Sequence, residues 1–445
     1  MTCLRYRLSL AAALLGCAAT LAAQAAPASP VSITLDEAIR RAEANEPGFA
    51  ATRAESQAQR LEQRNAVAGL LPSVNYHNQY LYTQSNQAAA VSRGTLAGNQ
   101  PAYIANNAVH EYISQAQVSE TVGLNGVAAI RLANATAMRA AAELEVARRG
   151  LVQAVVALYY GCQSAEAKVQ VAERSVDEAN RFLDVTTKRE TAREAAHADV
   201  IKARLGKQQR ERELDDARLA AAHARLELGV LLFPDPATPY TLAAATTAPM
   251  VPDRATVEAS AQSHNPELRS AMATLQASQA ASLGAKAALL PDLALSYSYG
   301  IDAPQFAQRS PEGLLNLGYS ASATVDLPVW DWLTSARRIK EARLRSDAAS
   351  VALSATQRRL LAELAEFYDE ATVAQRQLAS LEQSVADARE SLRLTNLRYV
   401  NGEGTVLDVV DAQSTLISAE DAQTDGSLRL YMALAALQTL TGTMQ

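Results

Sequence analysis

The chain has 445 residues, 20% of them charged, a formal net charge of −6, and an aromatic content of only 5%. An acidic chain with no basic face and no aromatic-basic motif excludes nucleic-acid binding. Abundant alanine in place of aromatic residues suits closely packed helices better than a large globular core.

At the N-terminus Arg5 and Arg7 precede an apolar run from Leu8 to Ala23, and Ala23-Gln24-Ala25 follows ahead of Ala26-Pro27. This pattern predicts a secretory signal peptide over residues 1–25. Leu14-Leu15-Gly16-Cys17 also fits a lipoprotein cleavage box, with Leu15 an imperfect match, so cleavage near Ala25 and lipidation at Cys17 are the two readings. No other segment approaches the ~20 apolar residues a spanning helix needs. A bilayer-crossing chain of this kind has to use strands, and only a closed barrel satisfies their backbone groups in lipid. With a cut at Ala25 the sole remaining cysteine is Cys162, whose Ala/Val/Tyr context predicts a packed small side chain rather than a reactive thiol.

The rest of the chain says the same thing twice. Asn45-Glu46-Pro47 opens a helical run that closes at Leu70-Leu71-Pro72, and Asn265-Pro266-Glu267 opens another, closing at Leu289-Leu290-Pro291, with both prolines displaced by 219 residues. Further on, Ala198-Asp199-Val200-Ile201-Lys202-Ala203 matches Leu407-Asp408-Val409-Val410-Asp411-Ala412 at a displacement of 209. Such self-similarity predicts a duplicated unit. The first repeat covers 26–233 and holds a helix, a β-hairpin at about 72–122, a long helix, a turn at 191–197 and a returning helix. A Pro/Thr/Ala-rich linker covers 234–254. The second repeat covers 255–445, with its hairpin at about 291–327 and its turn at 401–405.

Between Pro101 and Pro234, and again after Pro328, the chain has no proline. The run from about Leu333 to Val400 reads as one helix of roughly 100 Å, too long for a single globule, which predicts an elongated molecule. Leu364, Ala371, Leu378, Val385 and Leu392 on one register, and Leu360, Phe367, Ala374, Leu381 and Ala388 on the other, recur every seven residues. That spacing is a coiled-coil seam. In the first repeat Leu144, Leu151, Leu158 and Ala165 carry the same spacing from about Val127 to Arg189. Returning helices are predicted at about 198–232 and 406–441, completing antiparallel helical hairpins.

Four segments alternate with period two instead. Leu315, Leu317, Tyr319, Ala321, Ala323, Val325 and Leu327 alternate with small or polar residues, as do Leu293, Leu295, Tyr297, Tyr299 and Ile301. The first pair, about 73–84 and 109–121, is more polar. Half-buried strands of a sandwich would show the same alternation, but two hairpins set between long helices leave no further strands to complete one. An apolar face backed by a polar one suits a barrel wall between lipid and water.

Taken in order, Leu35-Asp36-Glu37-Ala38-Ile39, Asn45-Glu46-Pro47, the Leu-Leu-Pro exits, Asp326-Leu327-Pro328-Val329-Trp330-Asp331, Arg398-Tyr399-Val400-Asn401-Gly402 and Leu407-Asp408-Val409-Val410-Asp411-Ala412-Gln413 resemble the TolC-like outer membrane factor family. The likeness covers nearly the whole mature sequence. It implies a mainly α fold with a transmembrane β-barrel part, in which a homotrimer builds a 12-stranded barrel in the bacterial outer membrane. An α-helical tunnel would continue the barrel into the periplasm. It also implies an exit duct for a tripartite efflux pump or type I secretion system, working with a periplasmic adaptor and an inner membrane pump. A Gly-Lys-Ser/Thr nucleotide loop is absent from the chain, so transport energy has to come from that pump.

The resemblance further places Asp408 and Asp411 in a ring of carboxylates at the periplasmic gate, a possible cation site. Asp199 and Tyr399 become gate-holding partners on neighbouring hairpins. Gly404 stands where the best-known family pattern has arginine, with Arg193 or Arg398 as substitutes. Asp408 and Asp411 have a second reading as N-terminal helix carboxylates. Trp330 and Trp332 suit a membrane interface, or plain packing at a strand-helix corner. The five histidines His77, His110, His197, His223 and His264 show no metal spacing, and no catalytic constellation or cofactor motif appears. His197 beside Asp199 is a metal candidate or a solvated turn residue. The alternative function is a periplasmic coiled-coil adaptor without channel activity, which leaves the four alternating strands unexplained.

Overall fold

The computed structural model describes residues 31–82, 110–243, 250–326 and 330–442. The expected leader at 1–25 with Cys17, the tip of the first hairpin, linker residues 244–249 and the Leu327-Pro328-Val329 step lie outside the described residues. In chain order the elements are β1 (Val31–Ile33), α1 (Leu35–Asn45), α2 (Pro47–Ala68), β2 (Ser73–Tyr82), β3 (His110–Val122), α3 (Leu124–Thr191), α4 (His197–Leu232), β4 (Tyr240–Leu242), α5 (Arg254–His264), α6 (Pro266–Ala287), β5 (Asp292–Ala303), β6 (Leu317–Asp326), α7 (Thr334–Val400) and α8 (Val406–Thr441). Helix dominates, and among the described residues no helix is long and apolar enough to cross a membrane.

The duplicated motifs form matching joints. Pro47 and Pro266 each open a helix at its first turn, where a missing N–H costs nothing. The caps differ: Glu46 accepts from Gly48 N and Phe49 N, whereas Asn265 accepts from Leu268 N at 2.9 Å. Asn45 serves elsewhere, its Nδ2 donating to Leu232 O at 2.8 Å across the end of α4. The Leu-Leu-Pro exits repeat bond for bond. Gly69, Leu70 and Leu71 donate to Asn65, Val67 and Ala68, and Ala288, Leu289 and Leu290 donate to Gly284, Lys286 and Ala287.

Two compact units result, and each draws on both sequence repeats. The first comprises residues 1–45, 154–250 and 376–432. Its core joins Phe182, Ala203, Val385, Ala388, Leu392, Tyr399, Val406, Val409, Ala412 and Leu416. Of the predicted α7 seam, Val385, Ala388 and Leu392 lie in this core, while Leu378 and Leu381 are half-buried. In this unit β1 and β4 pair in parallel, and Tyr159 Oη donates toward Ile33 O and Ala243 O at 3.2 and 3.1 Å.

The second unit comprises residues 46–153, 251–375 and 433–445. Here Val257 and Ala261 of α5 pack on Leu360, Leu364 and Ala371 of α7 and on Ala433, Leu437 and Leu440 of α8. The buried Arg149 guanidinium donates to Thr439 O at 2.9 Å and His264 O at 3.3 Å, satisfying carbonyls at two helix ends. The α3 seam differs from expectation: Leu144, Leu151, Leu158 and Ala165 are half-buried, while Val152, Val155, Val156, Tyr159 and Cys162 are buried. In an alanine-rich helix several registers offer comparable apolar area, so burial follows the bulkier β-branched and aromatic positions.

Candidate functional site: the helix turns and the two-faced sheet

In the first unit both helical hairpins turn by the same hydrogen bonds. Arg193 N and Glu194 N donate to Glu190 O and Arg189 O, and Gly402 N and Glu403 N donate to Tyr399 O and Arg398 O. Each turn needs a left-handed residue at its third corner. Gly402 takes it at φ 83°, and Arg193 takes it at φ 63° despite its side chain. The following helix starts differ as well. Asp408 Oδ2 accepts from Thr405 N at 2.8 Å while Asp408 N donates to Thr405 Oγ1 at 3.2 Å, a reciprocal capping box. Ala196 begins α4 with no side-chain cap.

Those bonds from Thr405 hold the Asp408 carboxyl below the ordinary carboxylate range. Asp408 is thus the helix-capping carboxylate that spacing alone suggested, and it is also exposed. Asp411, one turn on and likewise exposed, has no side-chain partner among the described residues. Asp199 is half-buried and does not meet Tyr399 within the chain. Tyr399 is instead buried, its hydroxyl donating to Thr186 Oγ1 at 3.2 Å and its ring 5.1 Å from that of Phe182.

Within the chain the guanidinium over Tyr399 is that of Arg189. It lies 4.8 Å over the Tyr399 ring, donates from Nη1 to Tyr399 O, and sits 3.6 Å from Glu194. Arg398 donates to Glu403 O at 3.4 Å, and its charge also acts on Asp408. A Cβ at Gly404 would stand 3.2 Å from Tyr399 N, so a larger residue there crowds the turn. Sequence reasoning missed Arg189, Thr186 and Phe182 because their pairing with Tyr399 spans more than 200 residues and carries no local signal. His197 pairs with Glu190 at 2.6 Å, away from Asp199. Among the described residues no group of three or more His, Cys, Asp or Glu is placed to hold a metal ion. Cys162 is buried and its thiol is pushed up to about 11 by burial, which makes it unreactive.

In the second unit β2, β3, β5 and β6 form one antiparallel sheet in that order. Paired residues share a face, so the register sorts every side chain. One row runs Tyr76, Ala116, Tyr299, Tyr319, and the next Val74, Val118, Tyr297, Ala321. All seven tyrosines of this sheet fall on that face, with Leu293, Leu295 and Val325, and the same rows carry Asn78, His110, Ser114 and Glu120 from the first hairpin. The opposite face carries Asn75, His77, Gln79, Gln115, Gln117, Ser296, Ser298, Ser320, Ser322 and Thr324. Tyr319 is 76% exposed, and Tyr76 and Val74 are likewise exposed on this face. Strands β2 and β6 are open edges.

Just past β6 the backbone turns sharply. Trp332 and Leu333 adopt φ of 55° and 65°, and Asp331 Oδ2 accepts from Ser335 N at 2.7 Å to start α7. Trp330 and Trp332 meet edge to face at 5.9 Å and are 70% and 77% exposed.

Residues 259–443 match the family model described as outer membrane efflux protein. Protein CyaE of Bordetella pertussis is 25% identical over 394 residues, covering 86% of this chain and 80% of that protein. The pyoverdine export outer membrane protein OpmQ of Pseudomonas putida is 32% identical over 184 residues, 40% of this chain and 37% of that protein. Among solved structures, the Campylobacter jejuni CmeC outer membrane channel superposes with a TM-score of 0.77 at 14% identity, covering 92% of this chain and 85% of that one. At that identity the likeness establishes the fold.

Proposed function

As this chain belongs to the outer membrane efflux protein family and is an outer membrane exit channel of the efflux and secretion class, we propose that three copies assemble around a common axis. The observation that carries this reading is the sheet. Four strands with an uncovered apolar face and two open edges neither close a pore alone nor tolerate water. Three such sheets joined β6 to β2 give twelve strands, polar inside and tyrosine-rich outside, which is the composition a lipid-embedded barrel needs. The long helices continue that wall as a tunnel reaching into the periplasm. Trp330 and Trp332 then sit at the membrane interface, where their rings are favoured.

At the helix turns, Asp408 and Asp411 lie three residues apart on one helix face. Copied by threefold symmetry they supply six carboxylates to the constriction, which favours cations. Asp199 bonds across to a neighbouring hairpin, while the Arg189–Tyr399 contact fixes each turn from within. A periplasmic adaptor and an inner membrane pump engage the exposed turns. Purified protein in planar bilayers tests the reading: it should conduct with cation preference, and Asp408→Asn with Asp411→Asn should lower that preference. The asparagine at 408 keeps the cap acceptor, so lost selectivity reports charge rather than fraying. Absence of any current in the wild type would remove the channel reading.

A further inference from the structure

The start of α7 carries a charge cluster that its counterpart in the first repeat lacks. Residues 334–345 hold Arg337, Arg338, Lys340, Arg343 and Arg345 against one carboxylate, Glu341. The matching stretch of α3, 209 positions earlier at 125–136, holds Arg131 and is otherwise uncharged. Duplication therefore does not account for the cluster. Nor does helix stability, since the macrodipole disfavours cations at this end and α7 has no acidic residue in its first turn.

All five basic residues are exposed. Arg337 Nη2 donates to Trp332 O at 3.1 Å, which ties the first of them to the tryptophan corner. Arg345 pairs with Glu341 at 2.6 Å. Arg338, Lys340 and Arg343 have no ion-pair partner among the described residues.

A neighbouring copy does not supply the missing anions. In the trimer proposed above, β6 of one chain joins β2 of the next, which brings the start of α7 beside the end of α2. The last three turns of α2, residues 57–68, contain Arg60, Arg64 and one acid, Glu62, all exposed. Joining the two edges adds positive charge, so the balance has to come from a third, anionic component.

The surface next to the cluster is apolar. Leu71, Leu124, Leu290 and Leu333, one at each of the four strand-helix joints, are exposed, as are Trp330 and Trp332. In the barrel reading these residues mark the level at which the bilayer ends. Arg337, Arg338 and Lys340 follow just past Trp332 and cover roughly 5 Å of the helix axis, comparable with a headgroup layer of roughly 5–8 Å. Guanidinium groups hold phosphate oxygens by paired N–H donors, and long basic side chains reach the interface while their stems stay on apolar surface.

We propose that the start of α7 binds the phosphate of an anionic phospholipid in the periplasmic leaflet. Arg338, Lys340 and Arg343 are its cations, and Trp330 and Trp332 anchor the corner at the interface. The inference rests on the barrel reading of the sheet.

The chain has two tryptophans, Trp330 and Trp332, so tryptophan fluorescence reports on this corner alone. The assembled protein is reconstituted in phosphatidylcholine vesicles that contain a minor fraction of either brominated phosphatidylglycerol or brominated phosphatidylcholine. One cation beside an anionic leaflet contributes roughly fivefold in affinity, so phosphatidylglycerol should quench as though enriched about tenfold over its neutral counterpart. Arg338→Gln, Lys340→Gln and Arg343→Gln together should bring the two lipids to equal quenching. Equal quenching in the wild type, or an undiminished preference in the triple variant, overturns the proposal. If the wild type ignores the headgroup and the variant trimer is weakened, the cations serve contacts between copies instead. Should the variant not assemble, wild type in about 1 M salt decides, where screening should cut the preference several-fold. A preference unmoved by salt overturns the site. Absence of quenching by either lipid removes the barrel reading, a failure distinct from that of the site.

Discussion

At the residue scale the two turns form an internal control, because each position in one has a counterpart in the other. Thr405 and Asp408 make a capping box that Ala196 and Asp199 lack. Ala196→Thr should therefore complete the missing box and stabilise the start of α4 by about 1 kcal/mol. Amide exchange at Asp199 and Val200 should slow by roughly fivefold, and an unchanged rate would show that the turn is set by packing alone. The existing box should respond to acid. Its carboxyl is held below the ordinary carboxylate range, so its contribution is full above that range and disappears as pH falls through the lowered value. Exchange at Thr405, whose N–H donates to that carboxylate, should accelerate in that window. Arg189→Leu removes the cation over Tyr399 and the donor to its carbonyl, a loss of about 1–3 kcal/mol. Faster proteolysis within 401–405 is the expected readout.

At the element scale the sheet makes the sharpest demand. Tyr297 and Ser298 are adjacent yet point to opposite faces, Ser298 meeting Ser320 Oγ at 2.8 Å. Tyr297→Lys should cost about 2–4 kcal/mol if that face meets the bilayer midplane, whereas Ser298→Lys faces water and should cost little. Outer membrane yields of the two variants compare them directly, and equal yields would reverse the assignment of faces. This alternation was legible beforehand because period two needs no partner to be read. So were α8 and the α7 seam, where Gly402, Val406 and the line from Leu360 to Leu392 leave one workable register. The α3 seam was not, since Ala133, Ala135, Ala137 and Ala140 are buried alongside one another and blur the spacing. The pairing of β3 with β5 and the grip of Arg189 on Tyr399 also escaped, because both join residues far apart in the chain through geometry that no short motif encodes.

At the scale of the whole molecule, the single chain is unfinished. Among the described residues its tyrosine-rich sheet face is exposed, β2 and β6 are edge strands, and the Asp411 carboxylate has no side-chain partner. In the threefold assembly proposed above, the open edges β2 and β6 would pair between chains and the bilayer would cover the tyrosine-rich face. Duplication then has a geometric use, since three chains of two repeats give a wall of six similar segments, and departures from that pseudo-symmetry, such as the Thr405 cap, mark where the second hairpin differs. The measurement that bears most directly on this account is inter-chain disulfide formation in outer membranes between Gln79→Cys on β2 and Ser320→Cys on β6. The account predicts dimer and trimer species ending at the trimer, formed only when both substitutions are present in one chain. A band pattern without any inter-chain product, from protein correctly placed in the membrane, would contradict it.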